Sequence, residues 1–316
     1  MQLRRLGRTD LNIAPMVLGG NVFGWTADKA TSFGVLDRFA AAGLNAVDTA
    51  DSYTTWVPGN HGGESETIIG EWMKARGTRA RTIVITKVGS PMGKGKEGLS
   101  ARYIEEAVEA SLKRLQTDVI DLYLSHFPDQ ATPVADTLGA YQRLIEKGKI
   151  RWCGASNLQV SLLEDAIAAA RSRGGPRYEV LQPEYNLVDR HGFENGLGEL
   201  CQREEIGVIS YFSLAKGFLS GKYRTPEDLA KSPRGGGVKD YLNPRGFRIL
   251  DALESVAARH QAKPAEVALA WIIARPAVTA PIASATSPAQ TDSLIRATRL
   301  SLSDADMKAL DEASAG

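Results

Sequence analysis

An eight-stranded parallel α/β barrel, the (β/α)8 or TIM-barrel fold, is what this sequence predicts, on three observations. Short apolar, β-branched runs recur eight times, each is followed by a segment with helical spacing, and no linker-like shift in composition interrupts the series. Alternation with connections of this length implies parallel strands joined by right-handed crossovers, leaving an open doubly wound sheet or a closed barrel. Eight repeats favour the barrel, and 316 residues suit it at about 40 per unit.

The chain opens with two short runs, 2–6 and 11–13, separated by Gly7, Arg8, Thr9 and Asp10. They read as an N-terminal β-hairpin plugging the bottom of the barrel. The barrel strands are expected at 13–18, 46–48, 82–87, 119–125, 150–155, 179–183, 207–211 and 278–283. Helices are expected at 29–42, 65–76, 101–115, 134–147, 160–171, 195–205, 247–274 and 288–298. Ser100 and Ser303 stand where side-chain caps are wanted, and 302–310 reads as one extra C-terminal helix. The reading is a single domain over residues 1–316.

Composition narrows the partners. The 38 Lys and Arg balance 37 Asp and Glu, a net charge of +1, so nothing points to nucleic acid or an acidic membrane surface. Cys153 and Cys201 form no C-x-x-C motif, which fits a reducing compartment and argues against a disulfide framework or zinc ribbon. The apolar stretch after Arg4, Arg5 and Arg8 is too short for a signal core. The most apolar long window, 265–285, is broken by Glu266, Arg275, Pro276 and Pro281 and fails as a membrane span. A cytoplasmic protein is expected, with no metal site, since only four histidines occur and none sits in a ligand cluster.

Gly93, Gly95 and Gly98 match the G-x-G-x-x-G dinucleotide pattern, but the spacing is wrong. The first glycine should end the strand and the last should lie in the opening helical turn, whereas several residues separate Lys87 from Gly93 and the helix starts near Ser100. A glycine loop without a phosphate role is expected. The informative residues close three successive strands at the carboxyl-end face, where parallel barrels carry chemistry. Asp48 ends one with Tyr53 five residues on, Lys87 ends the next and His126 follows the third. Each alone has a bland reading as cap, rim aromatic, snorkelling lysine or core histidine. Together they suit proton transfer coupled to hydride transfer at a carbonyl. A neighbouring Lys87 would lower the cost of a Tyr53 phenolate, Asp48 would orient Lys87, and His126 would polarise the carbonyl oxygen.

These residues carry a resemblance to the aldo-keto reductase superfamily over nearly the whole chain. Leu6-Gly7-Arg8-Thr9-Asp10-Leu11 looks like its opening, and Asp48-Thr49-Ala50 with Tyr53, then Gly63-Glu64-Ser65-Glu66 and Gly70, looks like its first signature. The resemblance implies a catalytic tetrad of Asp48, Tyr53, Lys87 and His126. It also implies a nicotinamide cofactor bound without a Rossmann domain. Ser156, Asn157 and Gln182 would hold the carboxamide, although Ser156 or Asn157 could also cap the following helix. Tyr211 would stack on the nicotinamide, backbone groups of Ser213, Leu214 and Lys216 with the Lys222 side chain would meet the pyrophosphate, and Arg234 would add a second charge. The segment carrying Ser284, Thr286 and Gln290 resembles the family's adenosine and 2′-phosphate site, at a helix start that suits a phosphate. It departs from the pattern, with Ser284 for Gly, Thr286 for Arg or Lys, and Ser293-Leu294 for Glu-Asn; Ser213 likewise replaces a Pro. NADPH is expected ahead of NADH, because Thr286 keeps a donor and no acid replaces it.

Phe23, Trp25, Trp56 and Phe127 are candidate substrate-pocket walls, suiting an apolar or ring-shaped small-molecule carbonyl. The expected function is an NADPH-dependent carbonyl reductase. Two alternatives share the site: an NAD(P)-dependent sugar or alcohol dehydrogenase working in reverse, and a cofactor-sensing regulatory subunit similar to potassium channel beta subunits. The barrel pattern starts close to Met1, without the extended segment expected of such a subunit.

Overall fold

In the computed structural model, which describes residues 2–315, Arg4–Arg5 (β1) and Asn12–Ile13 (β2) pair antiparallel as the expected hairpin. Its turn is pressed against the barrel. Gly7 has φ +59°, and a Cβ there would lie 2.5 Å from the Gly207 amide nitrogen, so only glycine fits. Leu6, Leu11 and Ile13 are fully buried with Ile85, Leu122, Val180 and Ile209 in the core inside the barrel, so the hairpin closes one end with apolar side chains.

The barrel strands are Val17–Gly19 (β3), Ala46–Asp48 (β4), Ile83–Val88 (β5), Ile120–Ser125 (β6), Ile150–Ser156 (β7), Val180–Gln182 (β8), Gly207–Ser210 (β9) and Ala280–Ala283 (β10). All neighbours pair parallel in chain order and β10 pairs β3, closing the ring. In register, Gly19 stands beside Asp48, Asp48 beside Ile85, Lys87 beside Leu124 and Ser156 beside Gln182. The strand ends therefore share one rim. Helices cover the outside, and two apolar layers fill the space between them and the strands. Asp304–Ser314 is the extra C-terminal helix, begun by a capping box between Ser303 and Asp306; Ser100 caps Ala101–Leu115.

Three boundaries differ from expectation, each for a local reason. The run 13–18 is divided, because Pro15 has no N–H for a ladder; Ile13 pairs in the hairpin and the barrel strand starts at Val17. The helix expected at 247–274 is two, Pro244–His260 and Pro264–Ile273, separated where Gln261 turns left-handed (φ +51°) and Pro264 starts the second. The helix expected at 195–205 becomes His191–Glu194 and Leu197–Arg203 around Gly196 at φ +91°. Among the described residues no helix is long and apolar enough to cross a membrane.

Candidate active site

Lys87 is fully buried, and its ammonium nitrogen donates to Asp48 Oδ2, Thr49 O and Tyr53 Oη, each at 2.7 Å. Three acceptors use all three N–H groups, the arrangement an ammonium wants. Asp48 is 2% exposed and also accepts from Tyr53 Oη at 3.2 Å and from Gln182 Nε2, on the opposite side of the barrel, at 2.8 Å. The ion pair is buried and fully hydrogen-bonded, the condition under which such a pair persists. Tyr53 is partly buried, 6.0 Å between centroids from the His126 imidazole, and both line one cavity.

Burial, then the Asp48 charge, push the Tyr53 hydroxyl well above its ordinary range. Burial likewise outweighs Asp48 and holds Lys87 below its usual value. Tyr53 keeps its proton at rest, with the Lys87 ammonium 2.7 Å from its oxygen. Burial and the Lys87 charge hold His126 down to about 3, so its imidazole is neutral.

A cavity of about 980 Å³ starts at Asp48, Tyr53 and His126 and runs across the rim. Ser156, Asn157, Gln182 and Tyr211 line its inner part as one chain of hydrogen bonds. Ser156 Oγ donates to Gln182 O at 2.8 Å, Asn157 Nδ2 to Ser156 Oγ at 3.1 Å and to His126 O at 2.9 Å, and Tyr211 Oη to Asn157 Oδ1 at 2.7 Å. The Tyr211 ring is thereby fixed as a wall. Ser213, Leu214, Lys216 and Lys222 line the middle, where Phe212, Ala215 and Lys216 all take positive φ (50°, 46° and 56°) before Gly217 at 99°. Such clustered strain is costly for non-glycine residues and marks a backbone shaped for a ligand. Ser284, Thr286 and Gln290 line the far part, at the start of helix Pro288–Ala297, whose cap is Ser287.

Lys216, Lys222 and Arg234 face this cavity with no carboxylate at ion-pair distance among the described residues, and Arg234 Nη2 is buried without a partner. Asp48 is the one carboxylate among the described lining residues, against Lys216, Lys222, Lys231 and Arg234. Unpaired cations, strained amides and a helix start fit a ligand carrying several phosphate charges, as a nicotinamide dinucleotide does.

Two expected pocket walls lie elsewhere. Phe23 is fully buried in the outer apolar layer and does not reach the cavity. Trp25 stands behind Trp56, edge-on at 5.8 Å between centroids, and carries the Arg234 guanidinium 5.4 Å above its ring. Trp56 and Phe127 do line the cavity and are 50% and 44% exposed, Phe127 stacking on His126 at 4.8 Å. Gly93, Gly95 and Gly98 occupy left-handed turns in the loop after β5, away from the cavity lining. Sequence reasoning passed over Asn21, which accepts from Ser284 Oγ at 2.6 Å, and the apolar Ala265, Leu269 and Leu294 at the far part. Asn21 was legible as a polar residue just past a strand end; the apolar residues give no such signal.

Fold and site together define a closed parallel (β/α)8 barrel whose buried Asp48–Lys87–Tyr53 cluster opens on a cation-lined cavity across the rim. Residues 15–315 match the family model described as Aldo/keto reductase family, and the chain belongs to that family of NAD(P)H-dependent oxidoreductases. Protein tas of Escherichia coli (strain K12) is 30% identical over 96% of this chain and 95% of its own length. A probable voltage-gated potassium channel subunit beta of Arabidopsis thaliana is 31% identical over 92% of this chain and 89% of its own. The aldo-keto reductase yakc [NADP(+)] of Schizosaccharomyces pombe is 29% identical over 92% and 84%.

Proposed function

We propose that the protein is an NADPH-dependent carbonyl reductase, converting an aldehyde or ketone to the alcohol. The observation that carries this reading is Tyr53, a protonated phenol at the cavity wall whose oxygen already receives a hydrogen bond from Lys87 at 2.7 Å. When bound, the reduced nicotinamide supplies a hydride to the carbonyl carbon. Tyr53 gives its proton to the carbonyl oxygen, breaking the weak 3.2 Å bond to Asp48 as it turns toward the substrate. Lys87 stabilises the phenolate left behind, and neutral His126 donates a hydrogen bond that places the carbonyl. Gln182 Oε1 and the second lone pair of Asn157 Oδ1 are left to accept from a carboxamide, with Tyr211 as the flat surface for the ring.

Lys216, Lys222 and Arg234 would hold the diphosphate. NADPH is favoured over NADH because no carboxylate lines the far part of the cavity to bind a ribose hydroxyl pair or repel a 2′-phosphate, and because a relative carries NADP(+) in its name. Thr286 supports this less than its sequence position suggests, since its N–H and hydroxyl both donate to Gln290 Oε1 at rest. Trp56 and Phe127 suit an apolar or ring-shaped carbonyl.

The test is turnover of a panel of aldehydes, ketones and sugars with NADPH and NADH in both directions, followed by nicotinamide absorbance, beside Tyr53→Phe. Wild-type protein is expected to reduce at least one carbonyl, and the variant to lose on the order of 10² to 10⁴ in turnover while binding NADPH as before. Undiminished turnover in Tyr53→Phe would refute the proton-donor role. The similarity to a channel subunit beta supports a second reading, a cofactor-sensing subunit, which tight NADPH binding without turnover would favour.

A further inference from the structure

Three residues beyond Asp48 a second acid lies in a different setting. Asp51 is 2% exposed, and neither of its carboxyl oxygens has a hydrogen-bond partner. Its backbone N–H reaches the Lys87 carbonyl at 3.4 Å, which fixes it beside the strand end that carries the tetrad lysine. The ionisable groups acting on it come from three elements: Lys87 from β5, Glu66 from helix Glu64–Arg76, and Arg114 from helix Ala101–Leu115. Tyr103 of that last helix and Tyr123 of β6 feel its charge in turn. Neither cation is free to serve it, for Arg114 is bound to Glu66 at 2.6 Å and Lys87 to Asp48 at 2.7 Å. The Tyr123 hydroxyl is buried and partnerless as well.

A carboxylate without donors in such a site is expensive, and the group relieves the cost by holding its proton. Burial first, then the charge of Glu66, raise the Asp51 carboxyl to about 8. Were it ionised, a second negative charge would stand next to Lys87, and Lys87 would do less to stabilise a phenolate on Tyr53.

We propose that Asp51 is a positioning residue for the proton transfer: as a neutral acid it leaves Asp48 as the carboxylate paired with Lys87 and adds no second charge beside it, and as a carboxylate at alkaline pH it weakens Tyr53 as a donor. This rests on the reading of Tyr53 as the proton donor. It gives the reduction a brake above neutral pH in addition to the titration of Tyr53 and Lys87 themselves.

The experiment compares wild-type protein with Asp51→Asn, which keeps the shape and cannot ionise. In protein labelled with [13Cζ]tyrosine, the Tyr53 resonance, identified by its loss in Tyr53→Phe, is expected to step near pH 8 in wild type and not in Asp51→Asn. In parallel, kcat/KM for the best carbonyl is expected to fall by about tenfold more in wild type than in the variant between pH 7 and pH 9, the equivalent of one pKa unit on Tyr53. Identical steps in both proteins would overturn the inference. Absence of turnover in wild type would count against the proposed function alone, because the resonance is read without turnover. Should the variant not fold, the infrared C=O stretch of a buried protonated acid in unmodified protein takes its place: present at pH 7 and lost above pH 8 it supports Asp51, and absent at pH 7 it defeats it.

Discussion

Gln182 and Asp48 end strands that stand opposite one another in the barrel, and the Gln182 amide donates to Asp48 Oδ1 at 2.8 Å across the rim. A residue expected to touch the cofactor thus also holds the carboxylate that holds Lys87. Through Ser156, Asn157 and Tyr211 the same chain of hydrogen bonds continues along the cavity wall, so the Asp48–Lys87–Tyr53 cluster and the expected nicotinamide surface are one connected unit.

Replacing Gln182 by Leu removes a donor from a buried carboxylate, a loss worth about 1.5 to 3 kcal/mol for a charged acceptor. We expect kcat/KM to fall by on the order of tenfold or more, together with weaker cofactor binding. Steady-state kinetics with a parallel fluorescence titration of NADPH would show both, whereas a purely local cofactor contact would alter binding alone.

Lys87→Met leaves Asp48 buried with its counter-ion gone, and about 3 to 5 kcal/mol of stability should go with it. Adding Asp48→Asn to that variant removes the stranded charge, so urea denaturation should show most of the stability regained. Turnover should stay lost in both, which separates the structural from the chemical duty of the pair.

Arg234→Leu deletes a cation that lines the cavity and the contact over Trp25. NADPH binding should weaken by about tenfold, on the scale of one charge-assisted hydrogen bond, and its salt dependence should become shallower. Equal salt slopes for the variant and wild type would place the Arg234 charge outside the phosphate contacts.

Asp51 also makes a prediction about stability. Its folded pKa is raised from 3.8 to about 8, so the folded protein holds a proton that the unfolded chain releases. The contribution of Asp51 is therefore fully present below the unfolded value and is lost as pH rises through the folded one. Asp51→Asn escapes that loss. Denaturation at pH values from 5 to 9 should show the variant gaining on wild type by up to about 1.4 kcal/mol per pH unit, the gain levelling off above pH 8.

Much of the rim was legible along the chain, because a polar residue ending an apolar, β-branched run falls at the carboxyl-end rim of a parallel barrel, where other polar groups can meet it. Asp48, Lys87 and His126 follow that rule, as do Ser156 and Gln182. The loops gave no comparable rule. Phe23 and Trp56 read alike as aromatic loop residues, yet one is fully buried and the other 50% exposed, since which side of a loop meets the barrel depends on the helix packed beneath it. The break at Pro264 was present in the sequence but masked by apolar spacing that continues on both sides of it.

Order along the chain settled the alternation of strands and helices, the hairpin, and the rank of polar strand ends, because these follow from periodicity and local propensity. Closure of the barrel settled the rest. Asp48 and Asp51 are the same side chain three residues apart, both 2% exposed. One is met by Lys87, Tyr53 and Gln182, the last of them 134 residues away, and the other is met by no donor. Whether a buried acid carries a charge depends on which donors other strands bring to it through space, and that arrangement exists only once the ring of eight strands has closed.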